Sequence, residues 1–359
     1  MTTETAEVAR LQESSMTEEL QVLAQAMEQV IQNVTTQTQV NDAIVGRLLM
    51  LERRVMEMVE KGAGVKRSAT TSSEGSCASP AAKIAGETNA SPAVPFFAMA
   101  RQDGLPLYLG ESTGLCRVMK SFLMYVDTRD TYITPPLMLS GVWEPVKTRF
   151  VMQKVKAGMK VVDIGANCGY YTILMAAAVG PTGHVYAFEP HPRNLELIER
   201  NLQVNGFDER VTVFPQAALD RKGSVELHQI SRNTGAHTLF IVDTEHAAHP
   251  KLRVETVALD EVIDDPLDFA KIDAEGSEPF ILRGMKKLIA RSPQLQILME
   301  LNKSALSNAG IQPEEFLREL KESGYSLSSI TPQSTLIPAN EARLLREPIS
   351  TVVLSRNGN

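Results

Sequence analysis

No apolar run in the sequence approaches the ~20 residues of a membrane-spanning helix. The longest, around Ile173 to Val179, is far shorter, so membrane insertion is not expected. No long Lys/Arg block is present and the formal net charge is −7. A nucleic-acid duplex is therefore not the expected partner, because phosphate binding needs clustered positive charge. The start, MTTETAEVARLQESS, has neither a basic nor a hydrophobic stretch, which excludes a secretory signal peptide as the reading of this segment. The three cysteines, Cys77, Cys116 and Cys168, form no CxxC pair, so neither a disulfide framework nor a zinc site follows. A reduced, cytoplasmic protein is the simplest expectation. Also missing is GxGxxG, the fingerprint that wraps a dinucleotide pyrophosphate.

What is present begins with a heptad repeat. Leu20, Met27, Val34, Asn41, Leu48 and Val55 recur at every seventh position, and Leu23, Val30, Gln37, Ile44, Leu51 and Met58 form a second series offset by three. These are the a and d seams of a coiled coil over 17–61, started by Thr17 with Glu18 and Glu19 and stopped by Gly62 and Gly64. Partner helices are needed to bury such a stripe, so self-association is expected. Asn41 at an a position favours a parallel dimer, whereas Gln37 at d leaves a trimer open. The alternative is an amphipathic helix folded back onto the globular part. Residues 62–95, rich in Gly, Ser, Thr, Ala and Pro, cannot bury enough surface to offset chain entropy and read as a flexible linker.

Residues 96–142 read as an extension of the globular domain, with a helix expected from Leu115 to Tyr125. From Trp143 to Arg356, buried strand-like runs alternate with helical stretches. VKTRFVMQKVK reads as a helix, KVVDIG as a strand, YYTILMAAAVG as a helix and HVYAFEP as a strand. RNLELIERNLQVNG is a helix ended by Gly206, VTVFPQAAL a third strand, and the strand-rich stretch from Ser224 to Val257 an insertion. DFAKIDAEG then reads as a strand, EPFILRGMKKLIARS as one helix, LQILMEL as a strand, and GYSLSSI with ISTVVLS as an antiparallel hairpin at the sheet edge. The expected fold is an α/β, doubly wound, Rossmann-like and mostly parallel sheet, preceded by the coiled-coil helix.

The sharpest local signal is Asp163-Ile-Gly165-Ala166-Asn167-Cys-Gly169, a turn from the first buried strand into a helix. Glycines here allow close backbone approach to a ligand, and the helix start offers free N–H groups. An acid, one glycine and a second glycine four positions later suit a cationic, phosphate-free ligand better than a pyrophosphate. Glu189 ends the next strand, where a carboxylate can accept both hydroxyls of a ribose.

On these residues the chain resembles the FkbM-type methyltransferases, a branch of the class I S-adenosylmethionine-dependent fold. The resemblance runs from about Gly141 to Leu354. It rests on GVWEP, VVDIGANCGYYTILMAA, VYAFEPHPRN, AALDRKGSVEL, Asn233-Thr-Gly235, VETVALDEVI, KIDAEGSEPFILRGM and LQILMEL. It implies S-adenosyl-L-methionine as cofactor, with the methionine portion on the loop of Gly165, Ala166, Asn167 and Gly169. Asp163 and Asn167 would hold the loop and the amino-acid end, with Tyr170 and Thr172 opening the helix behind it. Glu189, followed by Pro190, would take the ribose hydroxyls, and the backbone near Gln216 and Ala217 would face the adenine. Glu144 would close over the cofactor from the N-terminal side or form a salt bridge.

The reaction implied is methyl transfer to a nucleophile, most simply O-methylation of a sugar, glycan or other small hydroxylated acceptor. Alignment of donor and acceptor, with removal of a hydroxyl proton, is what such chemistry needs. Asp273, at the end of the KID strand, is the first candidate for base or orienting group and also a cofactor contact; Glu275 is the second. The alternative is that Asp273 only binds cofactor while Glu275 and Glu278 load a helix N-terminus. His191 and His237 are further candidates to line the acceptor pocket as a base. No metal is expected, although Asp273 and Glu275 could offer oxygen ligands and His246 and His249 lie three apart. Two other readings stay in view. One is a nicotinamide-dependent oxidoreductase on a similar sheet, and the other is an oligomeric scaffold whose methyltransferase fold has lost activity.

Overall fold

The computed structural model describes residues 106–230, 232–240 and 249–356. The expected coiled coil at 17–61, the linker at 62–95, residues 96–105 of the extension and His246 lie outside the described residues.

Strands β1 (Leu107–Gly110), β2 (Thr113–Val118) and β3 (Phe122–Asp127) form an antiparallel three-stranded sheet. The helix expected from Leu115 to Tyr125 is thus a hairpin. Cys116 and Val118 alternate with the less buried Leu115 and Arg117, the period of two that a strand requires. Met119 and Lys120, both at positive φ, turn the chain between the strands. Met124 and Val126 of β3 share one core with Ile173, Leu197 and Ile198, so this extension packs against the main sheet's helices.

After α1 (Thr134–Ser140) and α2 (Pro145–Lys154) the alternation expected from the sequence sets in. It runs β4 (Lys160–Ile164), α3 (Tyr170–Val179), β5 (His184–Phe188), α4 (Pro192–Asn205) and β6 (Val211–Phe214). The stretch VTVFPQAAL is not one strand. Pro215 has no N–H to donate to a ladder, and past it the chain leaves the main sheet as β7 (Ala217–Leu219). β7, β8 (Gly223–His228) and β9 (Lys251–Ala258) make a second small sheet in the order β7-β9-β8, which is the strand-rich insertion.

The chain returns through α5 (Leu259–Val262) to β10 (Phe269–Ile272), α6 (Glu278–Gly284), α7 (Lys286–Arg291) and β11 (Gln296–Asn302). The single helix expected over EPFILRGMKKLIARS is broken at Met285, just after Gly284. A Cβ at Gly284 would lie 2.0 Å from the Leu219 carbonyl oxygen, so the helix presses on β7 where only glycine fits. The last elements are α8 (Lys303–Asn308), α9 (Pro313–Glu322), β12 (Tyr325–Ile330), β13 (Leu336–Pro338), α10 (Glu341–Arg346) and β14 (Ile349–Arg356).

The main sheet has eight strands in the order β13-β12-β14-β11-β10-β4-β5-β6. It is mixed: β11, β10, β4, β5 and β6 are parallel neighbours, whereas β14, β12 and β13 join antiparallel. GYSLSSI and ISTVVLS do pair antiparallel, but not as an edge hairpin. β14 inserts between β11 and β12, and the edge is closed by β13, a strand absent from the sequence reading. Burial on both faces explains why the parallel strands read as continuous apolar runs. Val161 of β4 joins the core beneath α3 and α4, while Val162 and Ile164 join the opposite core with Ile281, Leu288 and Phe316. Among the described residues no helix is long and apolar enough to cross a membrane.

Candidate active site

In an open α/β sheet, ligands bind beyond the carboxyl ends of the parallel strands. Here β4 ends in the Gly165 loop and is flanked by β5, which ends at Glu189, and by β10, which ends at Asp273. A cleft of about 890 Å³, open to solvent, lies over these three ends. Gly165, Ala166, Asn167, Tyr170, Glu189 and Pro190 line it, and so do Ala217, His237, Asp273 and Glu275. Of the other residues singled out from the sequence, Glu144, Asp163, Gly169, Thr172 and Gln216 do not line it.

The loop's glycines have a packing reason. Gly165 is at φ +76, and a Cβ there would lie 1.9 Å from the carbonyl oxygen of Asp273. Gly169, at φ +85, starts α3 against Ile198. Between them Asn167 occupies the left-handed region at φ 52, which asparagine tolerates better than most residues. Its Oδ1 accepts from the Cys168 N–H at 2.6 Å, and its Nδ2 donates to the Thr234 carbonyl at 2.8 Å. Thr234 is held in turn by Asp130 Oδ1, which accepts from its N–H at 3.1 Å. Segment 232–240 therefore roofs the cleft, tied to the loop on one side and to the extension on the other.

Glu189 is 5% exposed, and its carboxylate braces the loop. Oε2 accepts from the Asn167 N–H at 2.8 Å; Oε1 accepts from the His191 N–H at 2.9 Å and from Asn194 Nδ2 at 3.2 Å. Burial raises its pKa to about 7 despite these donors. Two carboxylate oxygens have about four acceptor sites; three are taken here, so one remains for a hydroxyl donor. Asn194 was not picked out from the sequence; its only signal was its place in EPHPRN.

The floor is an ionic chain fixed by register. Lys271 of β10 stands opposite Asp163 of β4, and Asp273 follows two residues later on the same face. Lys271 Nζ lies 3.3 Å from Asp273 and 3.7 Å from Asp163, and 5.1 Å from the centre of the Tyr171 ring. Asp163 is fully buried and accepts from Thr172 Oγ1 at 2.7 Å, so it supports the floor from beneath. Burial pushes the Asp273 carboxyl up, but the ammonium groups of Lys271 and Lys147 outweigh it and hold the group below its ordinary value.

Beside it, Glu275 sits at φ 46 and its Oε2 accepts from Asn302 Nδ2 at 2.8 Å. Burial, with the charges of Asp273, Glu300 and Glu278 around it, raises this carboxyl well above the usual range. Glu278 satisfies the turn before α6, accepting from the Ala274 and Gly276 N–H groups at 3.0 Å each, and burial raises it to about 7. Oxygens of Asp273, Glu275 and Glu300 lie within 4.8 Å of one another. Positive charge already reaches this trio, since Lys147 bonds Glu300 at 2.5 Å and also pairs with Glu144, whose other oxygen accepts from the Tyr171 hydroxyl at 3.0 Å. Lys147 and Glu300 were not singled out from the sequence, because α2 and β11 are 153 positions apart and no local spacing joins them.

The donor set suits an adenosyl sulfonium ligand. It has a buried carboxylate with a spare acceptor site at one strand end, a net-acidic floor at another, and a backbone loop between them with no basic side chain for a phosphate.

Comparison with known proteins agrees with this chemistry. Residues 163–327 match the family model described as the methyltransferase FkbM domain. A protein-L-isoaspartate O-methyltransferase of Methanothrix thermoacetophila is 47% identical over 49 residues, which is 14% of this chain and 23% of that protein. The human transmembrane O-methyltransferase is 38% identical over 69 residues, 19% of this chain and 24% of that protein. The chain thus spans about a quarter of the length of these curated relatives. Among solved structures, an FkbM methyltransferase of Methylobacillus flagellatus aligns at 18% identity and a TM-score of 0.33, covering 55% of this chain and 43% of that one. An S-adenosylmethionine-dependent O-methyltransferase of Thermotoga maritima aligns at 16% and 0.34, covering 60% and 66%.

Proposed function

We propose that the chain, whose residues 163–327 match the FkbM methyltransferase domain, is an S-adenosylmethionine-dependent methyltransferase that methylates a hydroxyl oxygen on a sugar, glycan or other small hydroxylated acceptor, with Asp273 taking the hydroxyl proton. One observation supports this reading above the rest. Asp273 ends the strand next to the glycine loop, its carboxyl kept ionised by Lys271, while Glu189 ends the strand on the loop's other side.

When bound, S-adenosylmethionine supplies an electrophilic methyl group on a sulfonium. The protein's part is to bind, align and deprotonate. Glu189 accepts a ribose hydroxyl at its remaining acceptor site, and the backbone of Gly165, Ala166 and Asn167 faces the remainder. Asp273 accepts the acceptor's proton at a carboxylate oxygen, and Lys271 stabilises the ionised form until that moment. Glu275 is held in its protonated form by its surroundings and is not poised to take a proton; held by Asn302, it donates to and orients an acceptor hydroxyl. Trp143 and Tyr170 give the cleft aromatic faces against which a sugar ring can rest.

Labelled methyl transfer to a panel of hydroxylated acceptors tests the proposal. Asp273→Asn should lower turnover by about 10²–10⁴-fold, the usual size of a general-base contribution. A variant within a few-fold of the wild-type rate would remove Asp273 from the base role. The heptads over 17–61 further suggest self-association, and deleting that segment should then lower the mass in solution.

A further inference from the structure

The cleft roof holds one polar group that the methyl-transfer scheme leaves without a task. His237 lines the cleft, and its Nδ1 accepts the Ile230 backbone N–H at 3.0 Å. A neutral imidazole whose Nδ1 is an acceptor carries its proton on Nε2. Burial, with the His191 ring tilted against it at 4.6 Å between centroids, lowers the pKa of His237 to about 4, so the ring stays neutral through the ordinary range. Nε2 makes no hydrogen bond to any described residue. Such a ring has no free lone pair for a proton. It presents one N–H.

The cleft that His237 lines has an apolar part: Ala217 and Ala218 of β7, Leu227 of β8 and Leu239 of the roof line it too. Glu189, next but one to His191, provides acceptors only. Apolar lining together with an N–H donor suits a purine, whose faces are apolar and whose ring nitrogens accept hydrogen bonds. We infer that His237 is a cofactor-positioning residue that donates its Nε2–H to a ring nitrogen of the adenine, and that it is not a base for the acceptor hydroxyl. The inference rests on the S-adenosylmethionine reading of the cleft.

Two substitutions separate donating from anchoring. His237→Asn puts an acceptor where Nδ1 was, keeping the Ile230 contact but removing the donor. His237→Gln puts an amide N–H where Nε2 was and gives up the anchor. S-adenosylhomocysteine binding by titration calorimetry should weaken about tenfold in the Asn variant and stay within about threefold of wild type in the Gln variant. Adenosine alone should show the same order, because the contact is to the base. Equal binding by wild type and His237→Asn would overturn the inference. So would a loss confined to His237→Gln, which would mark the anchor as the whole role, or a loss seen with S-adenosylhomocysteine but not with adenosine. If the wild-type protein binds neither probe, the cofactor reading itself fails and His237 is not the reason.

Discussion

Replacing Glu189 by glutamine swaps one oxygen for an NH₂ group at a site where every protein partner is a donor. Oε2 faces the Asn167 N–H, and Oε1 faces the His191 N–H and Asn194 Nδ2. Whichever way the amide turns, its nitrogen meets an N–H, and at least one buried bond is lost at about 1–3 kcal/mol. A ribose hydroxyl also loses a charged acceptor, a further ~1.5 kcal/mol or more. The first cost falls on folding stability, read in urea unfolding; the second alone predicts a dissociation constant for S-adenosylhomocysteine raised about tenfold or more, measured by titration calorimetry. A 2′-deoxy analogue of the ligand separates the two contributions. Wild type should lose about tenfold or more on removal of that hydroxyl, whereas Glu189→Gln should lose little further. If both proteins lose the same factor, Glu189 does not touch the hydroxyl and only braces the loop. If Glu189→Gln binds the parent ligand within about threefold of wild type, the reasoning fails altogether.

Three other outcomes follow from the same geometry. Burial raises the free-state pKa of Glu189 to about 7, and accepting a hydroxyl beside its three protein donors requires the ionised form. Affinity for S-adenosylhomocysteine should therefore fall by up to ~10-fold per pH unit below 7 and level off above it; calorimetry near pH 6.5 in buffers of different ionisation enthalpy should show proton release. Lys271→Met leaves the fully buried Asp163 without its cation, which should cost about 3–5 kcal/mol in urea unfolding; a loss under about 1 kcal/mol would refute the pairing. Gly165→Ala drives a Cβ onto the Asp273 carbonyl at a φ that L-residues avoid, so it should give insoluble protein or abolish the cooperative melt.

The parallel half of the sheet was legible because its strands are buried on both faces and separated by amphipathic helices, and both signals are local. Glu189 and Asp273 could be placed for the same reason, each being the acid that ends a readable strand. The failures share one cause. The β2–β3 hairpin alternates only weakly, because Leu115 and Arg117 are themselves half-buried. β14 is put between β11 and β12 by partners about fifty and thirty residues away, and no window of sequence contains that choice. The Asp163–Lys271 pair is a consequence of strand register, which becomes visible only once β4 and β10 are known to be neighbours. The loop glycine also has a neighbour that the sequence could not show: Gly165 is small because of Asp273, whatever it also allows a ligand.

That tight contact limits how the enzyme can breathe. With the tip of β4 seated against the carbonyl that ends β10, and with Gly165 and Ala166 both donating to Phe188 at the tip of β5, the floor moves as one plate. The roof of residues 232–240 is tied to that plate as well as to the extension, through hydrogen bonds to Asn167 and Glu275 on one side and to Asp130 and Thr131 on the other.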